Sequence, residues 1–162
     1  QTVTIGAGGA RIVSPTTTGG NVGGSTTFGS ILTANAPSNY QTGGSVLAGV
    51  SEGATNGDEA VYGAPPSTPS PKASIYSGGS ASSDGSQDSR DALYGGASGG
   101  SVSSAAVARL GGASIFGGDG GNGSSTGNGV DGVQPGGGGG ATQTGTQSGK
   151  GGDGEVHFWG VV

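Results

Sequence analysis

Cysteine is absent from these 162 residues, which excludes disulfides and thiolate metal sites and leaves both oxidising and reducing compartments open. Charge is scarce too. Only 9% of the chain is charged, and its five basic residues, Arg11, Lys72, Arg90, Arg109 and Lys150, are scattered along it. Binding to nucleic acid needs Lys and Arg in quantity, so nucleic acid is not an expected partner. The net charge of −5 is modest, which argues against an expanded chain held open by self-repulsion. Aliphatic and aromatic residues are sparse: Val, Ile, Leu and Phe number 25, about 15% of the chain, below what a monomeric domain usually uses for its core. No apolar run approaches the length of a membrane span, and no signal peptide is visible, so no membrane insertion is expected.

What the chain has is glycine, 42 residues of it. Fixing a glycine costs roughly 0.5–1 kcal/mol more than fixing an alanine. A folded chain this rich in glycine therefore needs dense backbone hydrogen bonding, burial against other chains, or both. A flexible linker is the simpler alternative, but linkers seldom carry Phe and Trp, and both occur here. The length suits one domain, residues 1–162. Because the chain opens directly on a strand-like run, it is expected to be a fragment or processed part of a longer protein.

Strand signals stand at both ends. Thr2–Ile5 alternates polar and apolar residues, and Thr26–Thr33 is β-branched and aromatic with a glycine bend at Gly29. Val46–Ala48 and Ala60–Tyr62 are shorter candidates, and Glu155–Val162 reads as a terminal strand. Pro65–Pro71 must be extended or turning. Ser101–Leu110 is the one stretch that suits a short helix or a strand. Between Gly111 and Gly154 glycine dominates, and in Gly117–Gly123 it recurs every three residues on two faces. A left-handed extended helix has that period and leaves its backbone groups unpaired internally. Glycine keeps every N–H and adds no Cβ, so such helices can lie side by side and bond to one another. The expected fold is mainly β and irregular: short strands flanking glycine-rich, polyglycine-II-like extended segments, with almost no helix. In it Ile115 and Phe116 would plug the boundary between glycine layer and strands. Phe28, Phe158 and Trp159 are the other expected structural anchors.

The runs TVTIGAGGA, GGSTTFGSILTA, GASIFGGDGGNG and GKGGDGEVHFW, in this order, resemble the glycine-rich domain of bacteriophage tail-fibre and tail-tip receptor-binding proteins. The resemblance covers residues 1–36 and 93–160. It implies a virion structural module at an extracellular tail, engaged in host-surface attachment. It also implies a homo-oligomer, with a trimer preferred. The partners would be other tail proteins and a host receptor, either a polysaccharide or an outer-membrane protein. The chain departs from the family at residues 50–92, which are poorer in glycine, and at His157-Phe158-Trp159, where plain aliphatics are commoner. A cellular glycine-rich surface protein or an ice-binding glycine lattice with no phage role is the alternative, although the regular threonine rows of an ice-binding face are lacking.

No catalytic constellation emerges, so the chain is not expected to be an enzyme. The single histidine, His157, sits on an alternating stretch and suits a structural partner. Serines without a placed base are only polar residues. No cofactor is expected: GAGGA at Gly6–Ala10 does not open a helix, as a dinucleotide loop would. The Asp-Gly pairs invite a calcium reading, but GGDGGNGSS neither repeats nor matches a calcium nonapeptide, and Asp-Gly suits turns, so no metal site is expected. Recognition is expected where the glycine is interrupted, in the insertion-like residues 50–94. Its tyrosines Tyr62, Tyr76 and Tyr94 offer rigid aromatic area beside small polar residues.

Overall fold

Alternation at the N-terminus and the β-branched run that follows it build a small sheet. In the computed structural model, which describes residues 1–13, 21–34, 75, 87–103, 105–145 and 147–157, β1 is Val3–Thr4, β2 is Thr26–Phe28 and β3 is Leu32–Ala34. The order is β1-β2-β3, all antiparallel. Val3 lies opposite Phe28, and Thr27 lies opposite Thr33. The bend between β2 and β3 needs a positive φ, which Gly29 supplies at 53°, and the Ile31 N–H closes the turn onto the Phe28 carbonyl at 3.0 Å. Phe28 is half-buried on β2.

The rest is organised by a different rule. Around residues 118–123 the backbone bonds recur every third residue, and each set runs to a different neighbour. Gly118 and Gly121 accept from the N–H groups of Ala97 and Gly100, both at 2.9 Å. The N–H groups of Gly118, Gly121 and Ser124 donate to the carbonyls of Pro135, Gly138 and Ala141 at 2.7–2.9 Å. Gly120 and Gly123 donate to Gly112 and Arg109, both at 2.9 Å. Asp119 and Asn122 accept from Val133 and Val130 at 2.8 and 3.0 Å. Residues 118–123 thus bond to four other segments, whereas a β-strand pairs only with the two strands beside it. Burial follows the same period: Gly118 and Gly121 are buried, and Asp119 and Asn122 are exposed.

Glycine is required at the buried positions by close approach. A Cβ added to Gly118 would run into the Val133 carbonyl oxygen, and one on Gly121 into that of Val130. The interior is correspondingly poor in side chains. Among the described residues the buried hydrophobics are two alanines, Ala92 and Ala97. The N-terminal segment joins the same body, since Gly151 and Gly154 donate to Gly9 and Gly6 at 2.9 and 2.8 Å.

No helix occurs among the described residues. Residues 101–103 and 105–110, the described part of Ser101–Leu110, form neither the helix nor the strand suggested by the sequence. They turn back sharply, with Val102 bridged antiparallel to Ala108, the Ser103 carbonyl accepting from Ala106 at 3.0 Å, and Ala106 at a φ of 60°. Glu155–His157, the described part of the expected terminal strand, lies outside any strand. Residues 87–94 of the expected interruption pair with the glycine-rich part, the Ser89 and Ala92 N–H groups donating to Leu110 and Ala113. Val46–Ala48, Ala60–Tyr62, Pro65–Pro71, Phe158 and Trp159 lie outside the described residues.

Candidate recognition surface

Four of the turns that join the extended segments share one mould: a small residue, two variable residues, then glycine. The four are Ala92-Leu93-Tyr94-Gly95, Ser114-Ile115-Phe116-Gly117, Ser124-Ser125-Thr126-Gly127 and Thr142-Gln143-Thr144-Gly145. Where the first residue carries a hydroxyl, its oxygen accepts the N–H of the closing glycine. Ser114 does so for Gly117 at 2.9 Å, Ser124 for Gly127 at 2.9 Å and Thr142 for Gly145 at 3.0 Å. Two of these hydroxyls also donate to the neighbouring turn: Ser114 Oγ to the Gly95 carbonyl and Thr142 Oγ1 to the Gly127 carbonyl, each at 2.7 Å. Parallel bridges between Ala92 and Ser114, and between Ser124 and Thr142, mark the same two pairs of turns.

Residues 118–123 run from one of these pairs to the other, so the pairs lie at opposite ends of that segment. Their chemistry is opposed as well. One pair presents Ser125, Thr126, Gln143 and Thr144, with Thr144 Oγ1 donating to the Ser125 carbonyl at 2.7 Å. The other presents Leu93, Tyr94, Ile115 and Phe116. There the Phe116 N–H donates to the Leu93 carbonyl at 3.0 Å, and the Tyr94 and Phe116 rings stack with centroids 5.0 Å apart and planes 11° from parallel. Stacking leaves much of this surface open: Tyr94 is 42% exposed, Phe116 63% and Ile115 72%. The expected role of Ile115 and Phe116 as a buried plug is therefore corrected. They stand at the tip of a turn because the interior, closed by glycine backbones in contact, has no room for them. Tyr94 is the one expected recognition residue within the described residues; Tyr62 and Tyr76 lie outside them.

Carboxylates flank the apolar turns. Asp91 Oδ1 accepts the Ala113 N–H at 2.8 Å, and Asp119 Oδ1 accepts the Ser114 N–H at 2.7 Å. Both belong to a wider system of lateral clips. Asp88 takes the Leu110 N–H, Asn122 that of Gly111, Asn128 that of Gln147, Asp131 that of Lys150 and Asp153 that of Gly8, at 2.8–3.2 Å. The expectation that Asp-Gly pairs make turns fails for Asp119, Asp131 and Asp153. These residues sit in extended segments and hold a neighbour's N–H. Asp153 is held below its ordinary value of 3.8 by the Gly8 N–H, and then by the hydrogen bond and charge of Lys150, 3.1 Å away. Arg11 pairs with Asp131 at 2.6 Å. His157 and Glu155 lie 3.0 Å apart on the surface.

Among the described residues, no three His, Asp or Glu side chains come together as a metal site would require, and no helix is long and apolar enough to cross a membrane. What the turns offer is an open aromatic face with carboxylates beside it, a combination suited to stacking and hydrogen bonding. The repeated turn mould is the sequence signal that locates this surface. No protein-family model, curated protein or solved structure matches this chain.

Proposed function

We propose that this chain is a glycine-rich structural module of a bacteriophage tail fibre or tail tip, and that it takes part in attachment to the host surface. In this reading residues 6–12, 21–25, 87–103, 105–145 and 147–154 form a bundle of polyglycine-II-like segments, a rigid body with little side-chain chemistry of its own. The three-residue period of the backbone bonds and the glycine contacts support that reading. Recognition falls to what projects from the bundle, because loops on a rigid scaffold are where binding residues collect. The observation that carries the proposal is the stacked, exposed Tyr94–Phe116 pair with Ile115 beside it. Its partner is a host receptor, a surface polysaccharide or an outer-membrane protein. The module works without catalysis or a cofactor, at the virion tail, among other tail proteins and as a homo-oligomer with a trimer preferred.

The test is binding of the purified, labelled chain to a panel of bacterial strains, beside the Tyr94→Ala/Phe116→Ala variant. The wild-type chain is expected to bind a subset of strains. The variant, with unchanged circular dichroism and assembly state, should bind about tenfold or more weakly, as buried aromatic anchors typically require. A folded variant that binds as well as wild type, or a wild-type chain that binds no strain, overturns the proposal.

A further inference from the structure

Asparagine and aspartate followed by glycine are the weakest links of a polypeptide at neutral pH. The glycine nitrogen attacks the side-chain Cγ and expels ammonia from asparagine, or water from aspartate. Water then opens the cyclic imide to aspartate or to isoaspartate, in which the main chain runs through the side-chain carbon. Glycine makes this fast in a flexible chain because no Cβ hinders the attack. The described residues contain five such pairs: Asp119-Gly120, Asn122-Gly123, Asn128-Gly129, Asp131-Gly132 and Asp153-Gly154.

All five are held at both reacting groups. The attacking nitrogen is engaged in every case. Gly120 donates to Gly112, Gly123 to Arg109, Gly129 to Gln147, Gly132 to Lys150 and Gly154 to Gly6, at 2.8–3.1 Å. The side chain under attack is engaged too. The Oδ1 atoms of Asp119, Asn122, Asn128, Asp131 and Asp153 accept the N–H groups of Ser114, Gly111, Gln147, Lys150 and Gly8. Ring closure needs the nitrogen freed and the side chain swung toward it, so it needs both bonds broken. At four of the pairs both bonds lead to other segments of the lattice, and at Asp119-Gly120 the glycine's does while the carboxylate holds Ser114 in the adjoining turn, so breaking both amounts to opening the lattice locally.

We infer that the lattice is a chemical lock on these five pairs, and that conversion to isoaspartate is a one-way record of its opening. An isoaspartate adds one methylene to the main chain. Every donor and acceptor beyond it then falls out of step with neighbours bonded at every third residue. A chain that reacts while open cannot reclose in register.

The two asparagines give the cleanest test, since each conversion exchanges ammonia for water and is read by mass in a peptide map. The full-length chain is incubated at neutral pH in its native state and in guanidinium, and amide hydrogen exchange is followed on the native sample. Conversion at Asn122 and Asn128 is expected to be at least about tenfold slower in the native chain, equivalent to an opening free energy of about 1.4 kcal/mol or more. The Gly123 and Gly129 amides should be protected from exchange in that sample. Equal rates at either asparagine, or unprotected amides at either glycine, overturn the inference.

Discussion

At the scale of single residues, two positions of the same type behave oppositely. An added methyl on Gly118 meets the Val133 carbonyl oxygen, part of a backbone that is itself fixed by its bonds. The Gly118→Ala chain is expected to lose about 2–3 kcal/mol or more in chemical denaturation. At Gly127 the added methyl meets only the Ser124 hydroxyl at 3.3 Å, and φ is not positive. Gly127→Ala should therefore shift stability by less than about 1 kcal/mol. Asp153 makes a prediction about pH. Its carboxyl titrates below the ordinary value of 3.8 because the Gly8 N–H and Lys150 favour the charged form. A lowered carboxylate contributes stability that is complete above the ordinary value and is lost as pH falls through the lowered one. Asp153→Asn keeps an acceptor for Gly8 but cannot titrate. Acid titrations of stability should show a shallower loss below about pH 4 for the variant than for wild type; parallel curves would rule this out.

Elements divide by how far their causes reach along the chain. The strand β1 was legible in the alternation of Thr2–Ile5, but Thr26–Thr33 reads as one β-branched run bent at Gly29, and the structure folds it back there into two antiparallel strands, β2 and β3. The period of three in Gly117–Gly123 was legible as a local pattern too, and the backbone bonds recur at that interval. The clips were not. Asp153 beside Gly154 reads as a turn in isolation, and the N–H that it holds belongs to Gly8, 145 residues away. The turn at Ser101–Leu110 was hidden by an alanine-rich composition that suits a helix until Arg109 is engaged by Ser101 and Gly123. The placement of Ile115 and Phe116 was misread through a general habit of cores, that greasy residues go inside. That habit presumes an interior of side chains, and the interior of the described residues is mostly backbone. Of the candidate surface, Tyr94 was singled out by sequence, while its stacking partner Phe116 was assigned to packing.

For the whole molecule, the governing fact is that the described residues bury so little apolar side chain. The described buried hydrophobics are Ala92 and Ala97, while Val3, Ile5, Leu32, Leu110, Val130 and Val133 are exposed. Hydrophobic burial scales with area removed from water, so the described residues gain little of it alone. In the proposed assembly, association with further copies would take those side chains out of water. Sedimentation is expected to show a homo-oligomer, a trimer first, with a melting temperature that rises with protein concentration. A folded monomer at micromolar concentration with a concentration-independent melt would exclude this.

The four bonded neighbours of residues 118–123 have a mechanical consequence. A β-sheet is strong along its hydrogen bonds and weak across its faces, where layers meet through side chains alone and can glide. When one segment is tied to neighbours on several sides, a sideways load meets hydrogen bonds in each of those directions. Such a body has no easy slip plane, and under shear it should give way at its turns before its segments slide past one another.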